Sequence, residues 1–285
     1  MPGMNRNSLW RRMSVVGTSL VLALSLAACG GSDSEGSDGG SSADDGLMKS
    51  GTLTVGMNLQ FKPEMYLDES GEPAGYDVDL LNKLADSMGV KLDIVNLDFD
   101  GLIPGLQSKK FDLVSVGLTA TDERKQVIDF SREYVPYVSV LAVPDADTGP
   151  FTIDNYNVDG NKITALQGSS GEQLAKDTFP DTKVEGYRDQ NSALLEVATG
   201  RAQGSVLEDY ILAQFQSGNP GQLKVAELPE PLAIGYGSWA VQKGNSTLVD
   251  ALNTFLCGAQ DDGTLAELYK KNFGVDDFPD MPGGC

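Results

Sequence analysis

Histidine is absent from all 285 residues. That one absence excludes histidine acid–base catalysis, histidine metal ligation and histidine-driven pH switching. Positive charge is also scarce, with 21 Lys and Arg against 41 Asp and Glu and a formal net charge of -20. So acidic a surface repels nucleic acid and anionic lipid, and no nucleic-acid motif is present. It does not by itself make the ligand a cation, because net charge mostly reports solubility and the overall field. Nothing in the composition calls for a metal or a cofactor. What is present is 40% hydrophobic residues, enough to bury the core of one large domain or two lobes.

Arg6, Arg11 and Arg12 precede an apolar segment, Met13 to Leu26, that is too short for a comfortable membrane span and reads as a secretion signal. It ends in Leu26-Ala27-Ala28-Cys29, which resembles the lipobox of bacterial lipoproteins. The resemblance implies a signal peptide over 1–28, cleavage before Cys29, lipidation of its sulfur and an extracytoplasmic position anchored to the cell membrane. Residues 29–50 are Gly- and Ser-rich with Asp33, Glu35, Asp38, Asp44 and Asp45, the composition of a flexible, self-repelling tether. With Cys29 given to lipid, Cys257 and Cys285 remain as a pair for an oxidising compartment. A bridge between them stabilises by roughly 3 kcal/mol in the chain-entropy account.

From Gly51 onward the pattern alternates strand and helix. Leu53, Val55 and Met57 alternate as a strand, and Val78, Leu80, Leu81, Leu84, Ala85 and Met88 recur at helical spacing up to Gly89. Further strands are predicted at 92–97, 113–116, 138–143, 162–166, 183–186, 204–207 and 233–241. Helices are predicted at 101–108, 122–128, 172–179, 192–199, 247–256 and 263–272. Units this short imply parallel sheets with helices on both faces, in two similar α/β halves.

Phe111 to Lys125 carries the oddest chemistry. A buried strand empties through a turn into a helix capped by Thr121, the place where open α/β sheets hold ligands. Asp122 and Glu123 suit the positive end of the helix dipole and Arg124 opposes it, which points to an anionic partner for the guanidinium, either a ligand or its own acidic neighbours.

Six motifs then fall in one order: Gly51 to Gly56, Phe61-Lys62-Pro63, Gly75 to Leu80, Phe99 to Pro104, Asp112 to Gly117, and Thr121-Asp-Glu-Arg124. With the closing run Gly263 to Lys271 and Phe273-Gly274, they resemble the family 3 solute-binding proteins of bacterial ABC importers. The resemblance implies a two-lobed α/β fold of the type II periplasmic-binding-protein kind, with mixed sheets and two hinge crossings near Tyr134 to Val138 and Leu232 to Gly237. It divides the chain into a first lobe over 51–133 and 238–275, a second over 139–231 and a tail over 276–285. It also implies a monomer that captures a polar amino acid by hinge closure and passes it to a membrane permease.

Residue by residue, the resemblance gives Arg124 the ligand α-carboxylate, with Thr119 and the Gly117 backbone beside it. It gives Asp209 the α-ammonium, and Phe61 and Phe99 the ligand side chain. Gln167, Ser170 and Gly171 match a loop whose amides help hold the carboxylate. That loop is too short, and lacks the lysine, for a nucleotide-binding P-loop. Asn58 stands where relatives are often acidic and contacts the ligand's distal group. Glu64 replaces an expected apolar residue, and Glu208 neighbours Asp209. A carboxylate from either one facing the cleft favours arginine or lysine; with both in solvent, glutamine is as suitable. Two other readings share the fold: a cyclohexadienyl dehydratase-like enzyme, with Glu208 as the acid, and a sensor for a signalling receptor.

Overall fold

The computed structural model describes residues 46–279 and 281–285. The expected signal peptide over 1–28, the expected lipidation at Cys29 and the expected tether up to residue 45 lie outside the described residues. The tether's last five positions are held by the body: Asn245 Nδ2 donates to the Gly46 carbonyl at 2.8 Å, and the Asp112 carboxylate accepts the N–H groups of both Met48 (2.6 Å) and Thr54 (2.8 Å). The folded body thus takes in residues before Gly51, because the Asp112 carboxylate holds the Met48 N–H ahead of the first strand as well as the Thr54 N–H within it.

Among the described residues a nine-stranded mixed sheet carries the fold. At one end Lys91–Asn96, Thr52–Met57 and Leu113–Leu118 run parallel. At the other, Gly204–Glu208, Lys162–Leu166 and Lys183–Tyr187 do the same. Two long strands join them. Ile128–Pro144 pairs antiparallel with Ala233–Gln242 from Ile128 to Ser139, then with Gly204–Glu208 and Leu223–Val225. The two lobes are thus halves of one sheet, joined by antiparallel strands that pass through Tyr137 and Gly235.

The first half of Ile128–Pro144 escapes sequence patterning. Phe130 to Tyr137 shows no strict alternation and contains Pro136, and it pairs on one side only, with Ala233–Gln242, an edge position that tolerates a proline. A small second sheet, Gln60–Phe61, Met65–Leu67 and Pro73–Ala74, replaces the expected loop after the first strand. The Tyr76–Met88 helix follows, and Gly89 closes it in the left-handed conformation (φ 66°) with its N–H on the Ala85 and Asp86 carbonyls.

The larger core gathers Trp239, Tyr134, Tyr76 and Phe111, each fully buried. The smaller one, under the second lobe, gathers Leu141, Val143, Ile163, Phe179 and Val206. Beneath the junction lies a buried polar cluster. Asp77 Oδ2 accepts hydrogen bonds from Ser115 Oγ (2.6 Å) and Tyr134 OH (2.8 Å), and Trp239 Nε1 donates to Ser115 Oγ at 2.9 Å. Cys257, on the Ser246–Asp261 helix, is bonded to Cys285 with Cα atoms 5.5 Å apart. The same tail is seated by Met281, 4% exposed, and by Phe278 against Tyr269.

Candidate functional site

The helix bearing Arg124 is one turn long, Asp122–Lys125, and the next strand starts at Ile128. Arg124 therefore sits in its last turn as well as its first, and the opposition to a helix dipole lapses. What singles Arg124 out is burial: the residue is 8% exposed. Thr121 caps the turn, its Oγ1 accepting the Arg124 N–H at 3.3 Å. The guanidinium then reaches across the cleft. Nη1 donates to the Thr119 carbonyl (2.9 Å) in its own lobe, and Nη2 to the Gly168 carbonyl (3.0 Å) in the other. Two of five guanidinium N–H donors are used this way. Burial lowers the Arg124 pKa to about 10, partly opposed by Glu123 and Glu208, so it stays cationic at neutral pH.

Opposite Arg124, Ser169 Oγ accepts the Glu172 N–H at 3.0 Å and starts a helix at Ser170, two residues before the predicted one. Ser170 and Gly171 become its first helical residues, whose N–H groups have no partner within the helix, which suits an anion. Ser170 Oγ lies 3.3 Å from Thr119 Oγ1 of the first lobe.

These groups line an enclosed cavity of about 40 Å³ between the lobes, bounded also by Phe61, Phe99, Gly117, Glu64, Tyr137, Gln190, Glu208 and Tyr210. A space so small admits a water-sized guest, so an amino acid enters only when the lobes part. Seven of the ten candidates from the sequence meet at this cavity: Phe61, Phe99, Gly117, Thr119, Arg124, Ser170 and Gly171. Three do not. Asn58, 6% exposed, is turned into its own lobe, donating to the Leu97 carbonyl at 2.8 Å and accepting from Gln60 Nε2. Gln167 is exposed, one step beyond the buried Leu166, and gives its N–H to the Tyr187 carbonyl at 2.8 Å. Asp209 is exposed at the start of the Asp209–Gly218 helix, with Oδ1 taken by the Tyr210 N–H.

Glu208 is the cavity carboxylate in place of Asp209, and strand geometry explains it. Side chains two apart share a face, so Val206 and Glu208 both line the cavity while Leu207 and Asp209 do not. That parity was readable in the sequence. Burial and neighbouring Asp209 push the Glu208 carboxyl up, and Arg124 pulls it down.

Glu64 is the least exposed carboxylate on the cavity wall, at 1%. The backbone around it is pinned by Tyr76 N–H on the Pro63 carbonyl (3.2 Å) and Asp77 N–H on the Glu64 carbonyl (3.0 Å). Its two oxygens accept hydrogen bonds from Tyr137 OH on the crossing strand and Tyr210 OH on the second lobe. Burial and then Asp77 push its carboxyl well above the usual range, against the pull of the two tyrosines. Gly117 makes this packing possible: at φ +55° a Cβ there would lie 1.5 Å from Tyr137 Oη.

Gln190 is a cavity residue that no motif pointed to. It is 4% exposed, its backbone N–H donates to Gln60 Oε1 of the other lobe at 3.0 Å, and its Nε2 has no hydrogen-bond partner among the described residues. Its only sequence signal was its place just after Asp189, which caps its helix.

Two half-sheets on crossing strands, with an Arg from one and a Glu from the other facing a shared cavity, define a protein that clasps a small zwitterionic solute. The chain belongs to the bacterial extracellular solute-binding proteins, family 3, whose sequence model matches residues 53–275. It is 30% identical over 254 residues to the arginine-binding extracellular protein ArtP of Bacillus subtilis (strain 168), covering 88% of this chain and 94% of that one. It is also 30% identical over 263 residues to the L-cystine-binding protein TcyA of the same organism, covering 90% and 95%. Among solved structures, an ancestral arginine-binding protein bound to glutamine superimposes with a TM-score of 0.73 at 32% identity, covering 80% of this chain and 100% of that one. All three are described as binding proteins, which favours binding over the dehydratase reading. Among the described residues no helix is long and apolar enough to cross a membrane.

Proposed function

We propose that this chain is the lipid-anchored receptor of an ABC importer, held at the outer face of the cell membrane through Cys29, where it captures a polar amino acid as a monomer and presents it to the permease. The observation that carries the reading is the pairing of Arg124 from one lobe with Glu208 from the other across a single cavity. Arg124 and the Ser170 and Gly171 amides take the α-carboxylate, a bidentate geometry that lysine does not reproduce. Glu208 takes the α-ammonium, and Phe61 and Phe99 flank the side chain. Ligand that touches both lobes binds the closed form better than the open one, so it shifts the hinge between 51–133 with 238–275 and 139–231 toward closure. Such motion is an established behaviour of periplasmic binding proteins.

Relatives named for arginine support a ligand of the arginine or lysine kind, and the glutamine-bound ancestral structure keeps glutamine in view. The test is a thermal-shift panel of the twenty amino acids on the full chain in mild detergent. A ligand at about a hundred times its Kd adds on the order of 2.7 kcal/mol of stability, a clear rise in Tm. In Arg124→Ala that rise is lost, with affinity down about 100-fold by calorimetry. A variant that responds like wild type overturns the clamp, and a panel with no responding amino acid overturns the ligand class.

A further inference from the structure

We propose that Glu64 selects the ligand's side chain and makes this site specific for an amino acid whose side chain carries a positive charge, an amine or a guanidinium. The inference rests on the amino-acid reading above and concerns the one ionisable carboxyl in the cavity which that reading leaves unmatched.

The cavity wall carries three ionisable groups besides tyrosines: Arg124, Glu208 and Glu64. The α-carboxylate and α-ammonium of any amino acid match the first two. Glu64 then remains with two tyrosine hydroxyls on its oxygens and no cation beside it. The charged groups acting on it are Asp77 and Glu208, both acidic. Buried among acids and neutral hydroxyls, the Glu64 carboxyl favours its protonated form. A cationic side chain supplies the counter-charge that lets it ionise and pair, a neutral one supplies none, and an acidic one opposes it.

Position agrees with the charge count. Glu208 acts on Arg124 and also on Glu64, whereas Arg124 is not among the groups acting on Glu64. Glu64 lines the same cavity as Arg124 and Glu208, on the wall where Tyr137 and Tyr210 meet it. The wall there is cut back to backbone: a Cβ on Gly117 would come within 2.8 Å of Glu64 Oε1. Asn58, the other polar candidate for reading a distal group, spends its amide on Leu97 and Gln60. Charge reading thus passes from Asn58 to Glu64, on the other side of the Gln60–Phe61 strand.

Citrulline is the probe that isolates charge, since it matches arginine in shape with a neutral terminal group. Calorimetry on the full chain should give at least one of arginine, lysine and ornithine about 100-fold tighter binding than citrulline or glutamine. In Glu64→Gln, verified as folded by circular dichroism, the arginine-to-citrulline ratio should fall below about tenfold through loss of arginine affinity. Wild type binding citrulline or glutamine within tenfold of the best cationic amino acid overturns the proposal, whether or not the variant folds. A folded Glu64→Gln that keeps the full arginine preference overturns it too. Should no amino acid bind wild type at all, the amino-acid reading fails and this inference falls with it.

Discussion

Tyr210 of the second lobe donates its hydroxyl to Glu64 of the first, and the same carboxylate accepts Tyr137 from the strand between them. One side chain therefore touches both moving bodies and their connection. The closed arrangement is further held by Arg124 on Gly168, Gln190 on Gln60, and the Tyr210 ring 5.5 Å from Phe273. These contacts bridge the lobes and favour closure, to which a ligand touching both lobes adds.

The two adjacent carboxylates Glu208 and Asp209 should separate cleanly in binding assays. Glu208→Gln removes the counter-charge for the α-ammonium and should weaken binding about 100-fold. Asp209→Asn changes an exposed group outside the cavity and should stay within about threefold. Titration calorimetry on both variants decides it, and the reverse ranking would return the ammonium site to Asp209.

Gly117→Ala should strike folding and binding together. The new Cβ meets Tyr137 Oη at 1.5 Å in a left-handed backbone, so a loss of about 2–4 kcal/mol is expected from urea unfolding. Adding Tyr137→Phe removes the first atom struck and should recover part of that loss. Strict additivity in this double-mutant cycle would contradict the contact.

Stability should rise as the pH falls from about 8 toward 4. Burial raises the Asp77 pKa to about 7, opposed by Ser115 and Tyr134, and Glu64 shifts the same way. The folded protein then holds protons that the unfolded chain, with carboxyls near 4, gives up. The contribution is complete below the unfolded pKa and lost as the pH rises through about 7, at about 1.4 kcal/mol per pKa unit. Asp129 and Glu185, lowered chiefly by hydrogen bonds from Lys243 and Lys183, act oppositely and only at more acid pH. Urea unfolding at pH 5 and 8 should show the gain in wild type and a smaller one in Asp77→Asn. An equal gain in both would remove Asp77 from the account.

Much of this was legible before any fold. Gly89 as a helix stop, Thr121 as a cap, and the motif order through Arg124 are local or linear features, carried by backbone sterics and short-range hydrogen bonds. The Val206–Glu208 parity was equally local, though the motif match pointed one residue further on. Glu64 shows the limit: the sequence left it facing either the cleft or solvent, and nothing nearby in the chain reveals Tyr137 or Tyr210.

By itself, then, the sequence determined the alternation of strands and helices and the two-lobed family, because each depends on residues close together or in a known order. Only the tertiary structure decided that the lobes share one sheet, that Asn58 turns away, and that Glu64 is buried without a cation. Those outcomes depend on which distant segments meet, as Asn58 meets Leu97 and Glu64 meets Tyr137 and Tyr210. Burial and charge balance exist only once such distant groups are brought together.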